Sequence, residues 1–276
     1  MRGALAGLLL LVAWPALAQD PPPPRPNTEQ AERPEAKPSA EPAAKPSVAP
    51  AAKPAISSDP PAASPTPAAD GKPESATPTD PPVRERLRED DFQYSACLLD
   101  LSLMGADYSE MPPITEADAP DCGIARPILL RAPLPGIEIP GGAPMRCETA
   151  WHLAHWLRDF VRPASALLPG QPRITALEPG TTYQCRQTVG NGGGKLSEHA
   201  FGNAFDIAGF RFQDGSRLEI AQRQDSGDMS EAFQRAITGA ACLHFTTVLS
   251  PGSNAAHENH LHLDIKARKS GWRLCQ

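Results

Sequence analysis

The chain has 276 residues, with 33 prolines, 6 cysteines, 7 histidines and a formal net charge of −6 at pH 7. That acidic balance argues against a nucleic-acid binder, which needs a basic face, and against holding an anionic polymer by bulk charge. No apolar run reaches the roughly 20 residues that span a bilayer, so no transmembrane segment is expected in the mature chain.

In chain order, residues 1–18 read as a signal peptide. Arg2 is a short positive start, Ala4 to Trp14 an apolar core, and Ala16-Leu17-Ala18 a small-x-small cleavage site. The mature chain is expected to begin at Gln19 and to be periplasmic or secreted. Residues 19–90 read as a disordered linker. Nineteen prolines lie between Gln19 and Pro82, and that stretch has no Phe, Tyr, Trp or Cys. It lacks the apolar surface to offset the entropy of ordering it, and its Ala-Lys-Pro units imply polyproline II mixed with coil. It is either a spacer that reaches wall or envelope partners or an unselective tail.

Residues 91–276 are long enough for one ordinary domain. Helical spacing of apolar residues runs from Phe92 to Met104, from Cys147 to Val161 with Pro163 just past it, and from Met229 to Ala241. Short strands are predicted at Arg173–Ala176, Thr181–Arg186, Phe245–Leu249 and His260–Ile265. A hairpin is predicted from Ala204–Phe212 and Arg217–Ile220 around Asp214-Gly215. Without regular βαβ alternation, the fold class is α+β: a small antiparallel sheet carrying a metal site, flanked by helices. All six cysteines (97, 122, 147, 185, 242 and 275) lie in this part and none forms a CxxC pair. An even count in an exported chain favours three disulfides, with about 15 pairings open.

Two segments carry the chemistry: Ser197-Glu-His-Ala-Phe-Gly-Asn-Ala-Phe-Asp206 and His257-Glu-Asn-His-Leu-His-Leu-Asp264. Strand alternation puts His260, His262 and Asp264 on one face and Leu261, Leu263 and Ile265 on the other. Paired imidazoles and an Asp in an apolar strand are costly to bury without a use, and a divalent metal is the strongest candidate. Gly202 permits a bend that brings His199 and Asp206 to one site. His152 and His155 also have ligand spacing, but a helix surface beside Trp151 and Trp156 accounts for them more simply. His244 is read as structural and Ser197 as support for His199. The Gly-rich run from Asn191 to Lys195 is read as a rim of the cleft, because it lacks the P-loop pattern.

The first segment matches SxHxxGxAxD, the pattern of the D-Ala-D-Ala carboxypeptidase branch of the lysostaphin/hedgehog metallopeptidase superfamily. His257-Glu-Asn-His-Leu-His262 resembles the HxxHxH of the penicillin-insensitive murein endopeptidases. Across about residues 92–276 the chain is similar to the bacterial extensin-like C-terminal domain family, through Ala96-Cys97, Cys122-Gly-Ile124, Tyr183-Gln-Cys-Arg186 and the two segments above.

The resemblance implies zinc ligands at His199, Asp206 and His262, and catalytic assistance from His260 and His257. It implies an Arg186 that holds substrate, although two residues separate it from Tyr183 where carboxypeptidases have none. Asn259 stands where carboxypeptidases place an acidic residue, so proton transfer falls to His257, His260 or Glu258. The implied function is a zinc-dependent peptidoglycan peptidase, a D,D-endopeptidase cutting peptide stems or cross-links with a zinc-activated water. The alternative is a non-catalytic zinc-containing module that binds or structures the cell wall.

Overall fold

The computed structural model describes residues 80–188, 194–223 and 225–276. The leader expected at 1–18, the linker up to residue 79 and most of the Gly-rich run lie outside the described residues. A single turn α1 (Val83–Arg86) and helix α2 (Asp91–Leu103) come first. Strands β1 (Asp107–Glu110), β2 (Ile114–Thr115), β3 (Gly123–Ile124), β4 (Pro127–Ala132) and β5 (Ala143–Arg146) follow. Helix α3 (Cys147–Trp156) passes through a π-helical turn at Leu157–Val161 into α4 (Arg162–Ser165). Then come β6 (Ile174–Pro179), a 3₁₀ turn at Glu198–Phe201, β7 (Ala204–Phe212) and β8 (Arg217–Glu219). Helix α5 (Met229–His244) and strands β9 (Thr247–Leu249), β10 (Leu261–Asp264) and β11 (Leu274–Cys275) close the chain.

The fold is α+β. Asp90 and Asp228 start α2 and α5 by accepting the N–H of Gln93 and Glu231, each at 2.7 Å. The main sheet has strand order β11-β9-β10-β7-β6, with β8 also on β7. Its pairings are antiparallel except β11 on β9. Strand β7 pairs with β10 over Ala204–Ile207 and with β8 over Gly209–Arg211, and the predicted hairpin is present. Trp156, Phe205, Phe210 and Phe245 are fully buried in the core. Helix α3 packs against α2, α5 and the short sheet β1-β4-β5. Among the described residues no helix is long and apolar enough to cross a membrane.

Three disulfides hold the fold. Cys97–Cys147 ties α2 to the first residue of α3, Cys242–Cys275 ties α5 to β11, and Cys122–Cys185 ties the approach to β3 to the loop after β6.

The structure corrects three expectations. The sheet is not single: β1-β4-β5 and the pair β2-β3 lie in a stretch for which no strand was predicted. Their strands are short, and Pro127 and Pro144 interrupt the alternating pattern. Thr181–Arg186 is not a strand, because Pro179 and Gly180 lead the chain off the sheet and Cys185 is drawn to Cys122. The helix expected over Cys147–Val161 does not stop before Pro163. A wider turn at Leu157–Val161 follows, Pro163 sits in the first turn of α4 where a missing amide donor is tolerated, and the path continues to Ser165.

Candidate metal centre

Cross-strand register builds the site. Asp206 of β7 lies directly opposite His262 of β10, so both side chains project from the same face. Leu261 and Leu263 point to the other face and are fully buried. His199 arrives from the 3₁₀ turn between β6 and β7. Ser197 caps that turn, and Gly202 ends it in the left-handed conformation at φ 67°. A Cβ on Gly202 would stand 2.3 Å from Ile124 Cδ1, so this position needs glycine for both its backbone and its close approach. The Gly202 carbonyl accepts from Arg146 N–H at 3.1 Å and from the Thr149 hydroxyl at 2.8 Å, bolting the turn to the start of α3. Gly202→Ala is therefore expected to cost about 2–4 kcal/mol, from the left-handed backbone and the overlap together. Urea unfolding measures it, and a loss under about 0.5 kcal/mol would show that the turn relaxes freely.

The donor atoms of His199, Asp206 and His262 converge, and all three residues are buried. His262 Nδ1 is 2.8 Å from Asp206 Oδ1, and His199 Nε2 is 3.2 Å from each of them. Tetrahedral coordination with bonds of 2.0–2.1 Å separates ligand atoms by about 3.3 Å, close to these spacings. The outer nitrogens are also committed. His199 Nδ1–H donates to the Thr182 carbonyl at 2.6 Å, and His262 Nε2–H donates to Asp264 Oδ2 at 3.2 Å. Each ring is thereby held with its inner nitrogen facing the shared point, as outer partners of metal-binding histidines do. The residues present fit a divalent ion.

Burial opposes charge on His262, but the carboxylates of Asp206 and Asp264 outweigh it and push the imidazole up to about 9. Burial likewise opposes charge on Asp206, and the His199 and His262 imidazoles beside it hold the carboxyl far below the usual range.

His257 and His260 stand beside this centre and line a cleft of about 380 Å³ together with Arg186, Lys266 and Arg268. His260 Nδ1–H donates to Asn259 Oδ1 at 3.1 Å, which leaves Nε2 as a lone pair 3.7 Å from Asp206 Oδ2. His257 Nδ1–H donates to Asn254 Oδ1 at 2.8 Å. Burial lowers both imidazoles, with His262 and His260 adding to the effect on His257, which falls to about 4. Both rings are neutral near pH 7 and able to accept a proton. Arg186 is on the cleft wall, bonded to Gln184 Oε1 at 2.9 Å and the Gln187 carbonyl at 3.3 Å. Glu258, the other candidate base, is not among the residues lining the cleft.

The remaining expectations fall elsewhere. Tyr183 turns away and donates to Glu116 Oε1 at 3.0 Å. His155 bonds to Asp100 at 2.9 Å, and His152 packs edge-on to Trp151, so the two do not converge on a common point. His244 packs against Phe160. The sequence reading missed the contributions of Thr182 and Asn254 and the place of Thr247 and Arg268 on the cleft wall. Asp264 was placed on the right face without a role, although its spacing of two from His262 was the available signal.

No match was found among curated proteins or among solved structures. A family profile described as "Extensin-like protein C-terminus" matches residues 95–276, from within α2 to the last residue and across the whole His/Asp centre, and the chain belongs to that family.

Proposed function

We propose that the chain is an exported zinc-dependent peptidase that hydrolyses peptide stems or cross-links of bacterial peptidoglycan, most directly as a D,D-endopeptidase. The observation that carries this reading is the convergence of His199, Asp206 and His262, with the outer nitrogens of both histidines already committed, beside a cleft lined by His257 and His260. The resemblance of His257–His262 to the murein endopeptidase motif supplies the substrate class. The signal-peptide pattern and the three disulfides favour an oxidising compartment outside the cytoplasm.

His199, Asp206 and His262 would hold a zinc ion, which when bound would supply Lewis acidity to a scissile carbonyl and to a water. His260 Nε2 is free to accept a proton from an attacking water and return it to the leaving amine, and His257 lines the same cleft. The carboxylates near the centre are committed: Glu198 pairs with Lys266 and bonds Asn203, and Asp264 bonds His262. An imidazole base is therefore the natural one in this cleft, in keeping with Asn259 at the position where carboxypeptidases carry an acid.

Wild type and His260→Ala are expected to bind about one zinc each. Wild type alone is expected to release products from purified cross-linked muropeptides, with the variant slowed about 10²–10⁴-fold. Mass spectrometry of the products and metal analysis of the same samples provide the test. Stoichiometric zinc without cleavage, across stems and cross-links alike, favours the non-catalytic wall-binding module instead. No zinc in the wild type sinks both.

A further inference from the structure

Three cations line the cleft above the His/Asp centre: Arg186, Lys266 and Arg268. They are not equivalent. Lys266 Nζ is neutralised by Glu198 Oε1 at 2.8 Å. Among the described residues, Arg186 is held by neighbours in its own segment, Gln184 and Gln187. Arg268 is held by the main sheet. Its Nη1 donates to the Thr246 carbonyl at 2.8 Å and its Nη2 to the Thr247 hydroxyl at 2.6 Å, while its guanidinium lies 5.2 Å from the centroid of the Trp272 ring. Those partners are all neutral, and among the described residues no carboxylate pairs with it. Thr247 lies on β9, where it is the direct cross-strand neighbour of Asp264, so the guanidinium is supported by the same strands that support His262.

A part-buried guanidinium held by neutral groups, with its charge unspent, is preorganised for an anion. Arg268 also stands at the junction of two spaces. It lines both the cleft of about 380 Å³ over the metal centre and a second groove of about 960 Å³ that runs past Trp151 and Phe92. A ligand in either space can reach it.

We propose that Arg268 is the substrate-carboxylate anchor of this site, and that the preferred substrates carry a free carboxylate on the residue that follows the scissile amide. This rests on the peptidase reading above and narrows it. Both a D-alanyl-D-alanine terminus and a D-amino-acid cross-link present such a carboxylate, so the anchor selects for the charge and not for the side chain.

The probes are acetyl-D-alanyl-D-alanine and its C-terminal amide, titrated calorimetrically into the zinc-loaded and the chelated mature chain. Wild type is expected to bind the acid at least about tenfold more tightly than the amide, the scale of one charged hydrogen bond. Arg268→Gln is expected to erase that difference with zinc content unchanged, and Arg268→Lys to restore part of it. A preference that survives Arg268→Gln, that disappears only in Arg186→Gln, or that wild type never shows overturns the anchor. Undetectable binding of the acid at millimolar concentration does so too. Muropeptide cleavage without an acid preference removes the anchor and leaves the peptidase standing, whereas an acid preference without cleavage does the reverse.

Discussion

Replacing His262 by alanine is expected to remove bound zinc and hydrolytic turnover together. His262 supplies one of the three converging donors, and it is the direct cross-strand neighbour of a second. Loss of an outer partner of a metal ligand typically costs about 10–100-fold in affinity, so loss of the ligand itself is expected to cost more than ~100-fold. The wild-type protein has a matching pH signature. In the chelated state the imidazole is raised to about 9 from its ordinary 6.5, with burial opposed by Asp206 and Asp264. The stability contributed by this ion pair is fully present below pH 6.5 and is lost as pH rises through about 9. An entering metal must displace the same proton, so metal affinity rises over that window and then levels. The melting temperatures of the chelated and zinc-loaded chains are therefore expected to separate as pH increases from 6.5 to 9, and His262→Ala is expected to abolish the separation. Wild-type zinc affinity in the alanine variant would remove His262 from the centre.

Much of this centre was legible because strands have a period of two. Alternation alone put His262 and Asp264 on one face and two buried leucines on the other. Gly202, seen only as a bend between two candidate ligands, turned out to be needed twice, for a positive φ and for contact with Ile124. What sequence did not yield was long-range. The register that sets Asp206 opposite His262 depends on strands 56 residues apart. The acceptor that orients His199 is a backbone carbonyl, Thr182, and a carbonyl has no residue-type signal. Arg268 was invisible for a related reason. Its importance lies in having neutral partners, and a missing carboxylate cannot be read from a list of charges. The disulfide pairing was undetermined among the permitted arrangements until the fold brought specific cysteines together.

Removing the Cys122–Cys185 disulfide is expected to weaken zinc binding as well as the fold, whereas removing Cys97–Cys147 is expected to weaken the fold alone. The two bonds span 63 and 50 residues, and on chain-entropy grounds each contributes about 4 kcal/mol. Their surroundings differ. Cys97 and Cys147 join α2 to α3 in the main core. Cys122 belongs to a small second core with Ala200 and Phe201, against which Cys185, Leu196, Val83 and Leu87 pack. Ala200 and Phe201 follow His199 in the same 3₁₀ turn, and Cys185 lies three residues after the Thr182 carbonyl that holds the ring. The bond therefore fixes both the turn that carries His199 and the loop that orients it. The Cys122→Ala/Cys185→Ala variant is expected to lose about 2–5 kcal/mol in denaturant unfolding and about tenfold or more in zinc affinity by chelator competition. The Cys97→Ala/Cys147→Ala variant is expected to lose similar stability and to keep wild-type affinity when assayed well below its melting temperature. Equal affinities in the two variants would mean that the second core does not position His199, and that β7 and β10 hold the centre unaided.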